Sequence, residues 1–180
     1  VSAHKRSAIF QDLGDLSLYS WLKCPRKQKQ IENIYKQVID ILILIHTAAT
    51  RHVSECPVLQ NRVFDYEHFQ WETDYFIERF VEGIEHIRAD DSFALKEEFH
   101  SLAIKADSFS KTVIHRDFQS QNIMVTKGEI PRIIDYQGAR MGPPAYDVVS
   151  ILWDPYYRLG DSVRERLIDY YVDKMKEVTK

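Results

Sequence analysis

The chain has 180 residues, 44% of them hydrophobic and 28% charged, which suits one domain with a sizeable core and is short for two. A formal net charge of −3 gives no overall electrostatic case for a nucleic-acid or anionic-membrane partner. The longest unbroken apolar run, Ile41–Ile45, falls far short of the about 20 residues that span a bilayer.

In chain order, Ala8-Ile9-Phe10 reads as the end of a short strand, running into the turn-rich connector Gln11-Asp12-Leu13-Gly14-Asp15. Ser17 to Lys23 predicts a short helix stopped by Pro25, and the basic run Lys23 to Lys29 around that proline reads as a solvated turn. From Lys27 to about Ala49, Ile31, Ile34, Val38, Ile41, Leu42 and Ile45 recur at three- and four-residue steps. That period predicts a long amphipathic helix. Pro57 is expected to break the following segment. Asp65 is a candidate N-cap for a helix over Tyr66 to about Phe80. Asp91 or Ser92 could cap another, carrying Phe93, Leu95, Phe99, Leu102 and Ile104 on one face.

The period then changes. Thr112-Val113-Ile114 is β-prone, and Asn122 to Thr126 and Ile130 to Ile134 flank Lys127-Gly128-Glu129, a hairpin signal. Pro143-Pro144 precedes a helix from about Tyr146 to Trp153, and a last helix runs from about Asp161 to Met175. The expected class is α+β and mostly helical. Cys24 and Cys56 lie far apart without a C-x-x-C partner, which gives neither a disulfide framework nor a zinc site and fits a reducing cytoplasm. His46 and His52 lack a metal-binding pattern, and His68, His86 and His100 read as surface or half-buried helix residues.

Chemistry concentrates in His115-Arg116-Asp117-Phe118-Gln119-Ser120-Gln121-Asn122, followed by the hairpin and Ile134-Asp135-Tyr136-Gln137-Gly138. H-x-D, four residues, Asn, and a further Asp after the next strand is the spacing of a kinase catalytic loop. In that pattern Asp117 projects toward an acceptor hydroxyl. The Asn122 amide oxygen and the Asp135 carboxylate meet at the hairpin's base as hard oxygen ligands for Mg²⁺ on the phosphates of ATP. The bland alternative makes Asp117 and Asp135 plain turn residues around a structural hairpin.

Downstream, Gly142-Pro143-Pro144-Ala145-Tyr146-Asp147-Val148 opens a helix. With the catalytic-loop pattern, this segment resembles the aminoglycoside phosphotransferase and choline kinase family, small-molecule relatives of the protein kinases. The resemblance covers nearly the whole chain. It implies the C-terminal lobe of a protein-kinase-like fold with a small hairpin at the catalytic loop. It assigns Asp117 to catalysis, Asn122 and Asp135 to metal, and His115 and Asp147 to support of the catalytic loop. Gln11, Asp12 and Leu13 would belong to the nucleotide-binding hinge. A protein kinase is disfavoured: only eleven residues separate Asp135 from Asp147, too few for an activation segment, and Asp135-Tyr136-Gln137 replaces D-F-G.

Within the family, Ile134 to Arg140 with Tyr146-Asp147 and Leu152-Trp153-Asp154-Pro155 is most similar to bacterial kinases that phosphorylate N-acetylmuramate or N-acetylglucosamine at the anomeric hydroxyl. On that resemblance alone, Glu72 and Arg140 are substrate candidates, and the segment from Phe64 through Phe76 is similar to the substrate-side helix. Choline and aminoglycosides are the alternative acceptors, and a non-catalytic kinase-like binding module is the alternative of another class. The family's sheet lobe, with its phosphate-covering loop and strand lysine, has no counterpart here. The expectation is therefore a lobe at residues 16–180 behind a hinge remnant at residues 1–15, separated from an N-terminal lobe of the same protein and inactive alone.

Overall fold

A computed structural model describes residues 10–87 and 93–179. Helix α1 (Leu18–Lys23) begins where the Ser17 hydroxyl accepts from the Ser20 amide, and it ends two residues before Pro25. The basic turn that follows is exposed, with Lys23 over the Tyr19 ring and Arg26 over Trp21. Helix α2 (Gln28–Leu44) buries Ile34, Tyr35, Val38, Ile39, Leu42 and Ile43, the face that its three- and four-residue period marks. Its last turn, Ile45–Ala49, is wound as a π-helix. The break expected at Pro57 falls at Cys56, after a 3-10 turn over Val53–Glu55, and Pro57 itself opens the short helix α3 (Pro57–Gln60): at a first helical position its missing N–H costs nothing.

Helix α4 (Tyr66–Phe76) is capped by Asp65, whose carboxylate accepts from the His68 amide, and continues as a π-turn over Ile77–Glu82. Helix α5 (Phe93–Asp107) packs beside α4. Its predicted apolar face is only partly used. Phe93, Leu102 and Ile104 are exposed, because α5 packs mainly against α4 and of its residues only Ala103 is buried. The candidate caps Asp91 and Ser92, and Ala8-Ile9 of the proposed strand, lie outside the described residues; Phe10 is exposed and in no strand.

Four short strands follow. Strands β2 (Ile123–Thr126) and β3 (Ile130–Ile133) form the predicted antiparallel hairpin around Gly128, whose φ of 84° suits the turn. Strand β1 (Thr112–Ile114) pairs antiparallel with β4 (Arg140–Gly142), a strand the alternation of the sequence did not announce. Residues 62–64 join that pair: the Met141 amide donates to the Arg62 carbonyl and the Phe64 amide to the Met141 carbonyl, both at 2.7 Å. Gly142 is needed here. A Cβ at this position would lie 2.5 Å from the Ile114 side chain, which is wholly buried, and 3.2 Å from Phe64 Cβ. Gly142→Ala is expected to destabilise the fold by about 1–3 kcal/mol, read as a lower denaturant midpoint at unchanged slope.

Helices α6 (Ala145–Leu152) and α7 (Asp161–Val178) close the structure over α2. Ile151, Leu152, Val163 and Leu167 join Leu42, Val38, Phe118 and Ile123 in one apolar cluster. The catalytic loop therefore rests on the core through Phe118 and Ile123 rather than on a free hairpin. Among the described residues no helix is long and apolar enough to cross a membrane.

Candidate active site

The segment between β1 and β2 is held from behind by two buried carboxylates. Asp147, one turn into α6 and fully buried, accepts from the backbone amides of His115 at 2.6 Å and Arg116 at 2.9 Å. Asp154, just past the end of α6, accepts from the Ser120 amide at 2.8 Å and from Tyr156 at 2.9 Å. These bonds let Arg116 keep a left-handed backbone, φ 75°, which an ordinary side chain adopts only where its surroundings over-determine it. Asp135 is left-handed as well, φ 67°. Two such residues flank the chemistry.

His115 clamps the other side of the loop. Its Nε2 lies 3.0 Å from the Ile134 carbonyl, so the proton sits on Nε2 and fixes the residue before Asp135. Asn122 ties the loop to itself: its Nδ2 donates to the Asp117 carbonyl at 2.9 Å and to Asp117 Oδ2 at 2.8 Å. Both donors of that amide are spent, which leaves its Oδ1 as a free acceptor. The Asp135 side chain makes no capping bond and is exposed. Asn122 Oδ1 and the Asp135 carboxylate are thus unengaged hard oxygens, a donor set that fits Mg²⁺ completed by phosphate oxygens and water. Among the described residues no cluster of three His, Cys, Asp or Glu forms a self-sufficient metal cage.

Asp117 and Asp135 share a cleft of about 470 Å³ with Glu72, Arg116, Gln137 and Tyr146. Glu72 enters it from α4. The Tyr146 hydroxyl donates to Glu72 Oε1 at 2.8 Å, and burial, then the Glu72 carboxylate, holds that phenol protonated far above its ordinary range. Phe64, wholly buried, supports this wall: its ring centroid is 4.9 Å from Tyr146 and 5.2 Å from His68, with the Arg116 guanidinium 5.9 Å over it.

The expected residues are therefore distributed as follows. Asp117, Asp135 and Glu72 line one cleft, Asn122 bonds Asp117, and His115 and Asp147 brace the loop. Arg140 does not line the cleft; its Nη1 donates to His68 Nε2 at 2.6 Å. Gln11, Asp12 and Leu13 form an open turn in which Asp12 Oδ1 accepts from Gly14, and none of them lines the cleft. They leave from the edge of the hairpin, where Leu16 and Ser17 attach to β2.

Two supporting residues escaped the sequence reading. Asp154 carried no role there, although an acid directly after the apolar run Val148 to Trp153 is out of place unless something satisfies it. His46 is the second. It lies four residues beyond Leu42 on the buried face of α2, and that position was the signal. It is 2% exposed, its Nδ1 is 2.8 Å from the Tyr171 hydroxyl, and its Nε2 is 3.5 Å from Asp147 Oδ2. His46→Phe keeps a ring in the space but strands the Tyr171 hydroxyl. It is expected to cost about 1–3 kcal/mol by urea unfolding.

Residues 3–178 match the phosphotransferase enzyme family. A 66-residue stretch, 37% of the chain, is 36% identical to the N-acetylmuramate/N-acetylglucosamine kinase of Neisseria meningitidis serogroup B, and covers 20% of that protein. The fold resembles ADP-bound aminoglycoside phosphotransferase APH(2'')-Ib, with a TM-score of 0.55 and 16% identity over 92% of this chain and 55% of that one. It also resembles choline kinase LicA from Streptococcus pneumoniae, with a TM-score of 0.52 and 16% identity over 79% of this chain and 46% of that one. The chain thus spans about half the length of these solved structures. The match over residues 3–178, the kinase-like fold and the braced H-x-D loop together place the chain in the phosphotransferase enzyme family.

Proposed function

We propose that the chain is the catalytic lobe of a kinase that moves the γ-phosphoryl group of ATP onto a hydroxyl of an amino sugar. The observation that carries the reading is the Asn122–Asp117 pair. One amide orients the Asp117 carboxylate with its nitrogen and keeps its oxygen free for a cation, and Asp117 shares its cleft with Asp135. Asp117 Oδ1, free of the Asn122 bond, accepts the acceptor's hydroxyl proton and aims its oxygen. Asn122 and Asp135 hold Mg²⁺, which when bound neutralises charge on the phosphates. Positioning and charge neutralisation are the main tasks in a loose phosphoryl-transfer transition state. Glu72 and Tyr146 form the acceptor wall.

Residues 1–15 act as the hinge, with Gln11, Asp12 and Leu13 toward the nucleotide, and residues 16–180 as the lobe. A phosphate-covering lobe of the same protein supplies the remaining contacts. The partly matched relatives, about twice as long, support that division. The free, exposed Cys24 and Cys56 support a cytoplasmic setting.

The test is a ³¹P NMR transfer assay with ATP, Mg²⁺ and a panel of N-acetylmuramate, N-acetylglucosamine, choline and an aminoglycoside. A sugar-phosphate resonance with the amino sugars alone is expected from the two-lobed protein, and no appreciable turnover from these 180 residues. Transfer to choline or the aminoglycoside instead would replace the amino-sugar assignment. Robust transfer by the 180 residues would remove the need for the second lobe.

A further inference from the structure

Three arginines, Arg116 in the cleft wall and Arg62 and Arg140 outside it, have no carboxylate within 4.0 Å among the described residues. Arg116 lines the cleft itself. Arg62 donates to the carbonyl of Gln137, a residue of the cleft wall, at 3.1 Å and has its other donors uncommitted. Arg140 is linked to Arg116 through a stack: Arg116 over Phe64, Phe64 against His68, and His68 Nε2 accepting from Arg140. Because a guanidinium only donates, that bond fixes the His68 proton on Nδ1, which donates to Asp65 at 2.7 Å. His68 therefore bridges Asp65 and Arg140, which form no direct ion pair. Arg140 Nε is buried with no partner at all.

Guanidinium groups without a direct ion-pair partner cost free energy unless an anion arrives to use them. The carboxylates that share the cleft with Arg116, those of Glu72, Asp117 and Asp135, do not pair with it, Glu72 accepting from Tyr146 and Asp117 from Asn122. The mutual repulsion is visible at Arg140, whose affinity for its proton is lowered by burial first and then by Arg116 and Arg62. A guanidinium fork is also the group best shaped to take a carboxylate through two parallel bonds.

We infer that the acceptor carries a carboxylate, bound by Arg116 at the cleft wall, with Arg62 and Arg140 supplying the positive field behind it. This rests on the amino-sugar reading and narrows it to an acidic sugar. N-Acetylmuramate and N-acetylglucosamine form a matched pair for the purpose, since they differ by a lactyl ether that ends in a carboxylate.

Calorimetric titration of the protein with each sugar measures the carboxylate's share directly. N-Acetylmuramate is expected to bind roughly tenfold or more tightly than N-acetylglucosamine, the effect of one charge-assisted contact. Arg116→Gln and, separately, the solvent-exposed Arg62→Gln should move that ratio toward one, with Arg116→Lys intermediate because it keeps charge but loses the fork. Near-wild-type melting of each variant establishes that it is folded, and Arg62→Gln carries the test if Arg116→Gln is not. Equal binding of the two sugars would overturn the carboxylate site while leaving the amino-sugar reading intact. Binding of neither sugar would overturn both. A loss of ADP affinity in Arg116→Gln, with the sugar ratio unchanged, would assign the arginines to nucleotide phosphates and overturn the inference.

Discussion

In the two-lobed protein, Asp117→Asn is expected to lower phosphoryl transfer by about 10²–10⁴-fold while leaving nucleotide affinity within a factor of about two. The substitution keeps the size of the side chain and can keep a bond to Asn122. What it removes is the charged oxygen to which the proposed mechanism assigns the acceptor's proton and its alignment for in-line attack. Asp117 is exposed in the cleft and bonded to the fold by one amide, so no stability loss accompanies the change. The expected signature is a fall in kcat with little change in melting temperature. Turnover within threefold of wild type would mean that Asp117 only shapes the turn.

Asp147→Asn has the opposite signature. Its carboxylate accepts two backbone amides in a site with no solvent access, and an amide there presents one acceptor and one unwanted donor to the same two N–H groups. Charge-assisted bonds are lost and a buried N–H is left without a partner, a penalty of about 2–4 kcal/mol. For a chain of this size that corresponds to about 5–15 °C in melting temperature by calorimetry. Arg116 then has less reason to keep its left-handed φ, and activity should fall with stability. A melting temperature within 1 °C of wild type would show that the loop is braced by something else.

The two variants separate what was legible in the sequence from what was not. That Asp117 meets Asn122 and shares a cleft with Asp135 could be read because their spacing around a hairpin is visible along the chain. The long helix α2 and the hairpin were visible for a similar reason, since burial on one face writes a period. Pro57 was legible as a break but not as the start of α3, because a proline is excluded from a helix interior yet sits comfortably at a first helical position. The apolar positions of α5 overstated its burial because a period shows which face is apolar, not whether anything covers it.

The supporting residues were harder for a different reason. Asp154 reaches Ser120 across 34 positions, and His46 reaches Tyr171 across 125. Nothing local in the sequence marks either partner. β4 pairs with β1 by tertiary contact over three residues, too short for alternation to register. The arginine cluster was equally hidden, because Arg62, Arg116 and Arg140 come from three separate segments and meet only around Phe64.

The most direct test of the phosphoryl-transfer site is metal binding, because it does not depend on knowing the acceptor. Mn²⁺ can replace Mg²⁺ at hard oxygen ligands and is counted by electron paramagnetic resonance. With ADP present, wild-type protein is predicted to bind Mn²⁺ in excess of ADP alone, and Asp135→Asn to lose that excess by roughly tenfold or more in affinity. Equal Mn²⁺ binding by the two proteins would contradict the assignment of Asp135, and with it the active site built here.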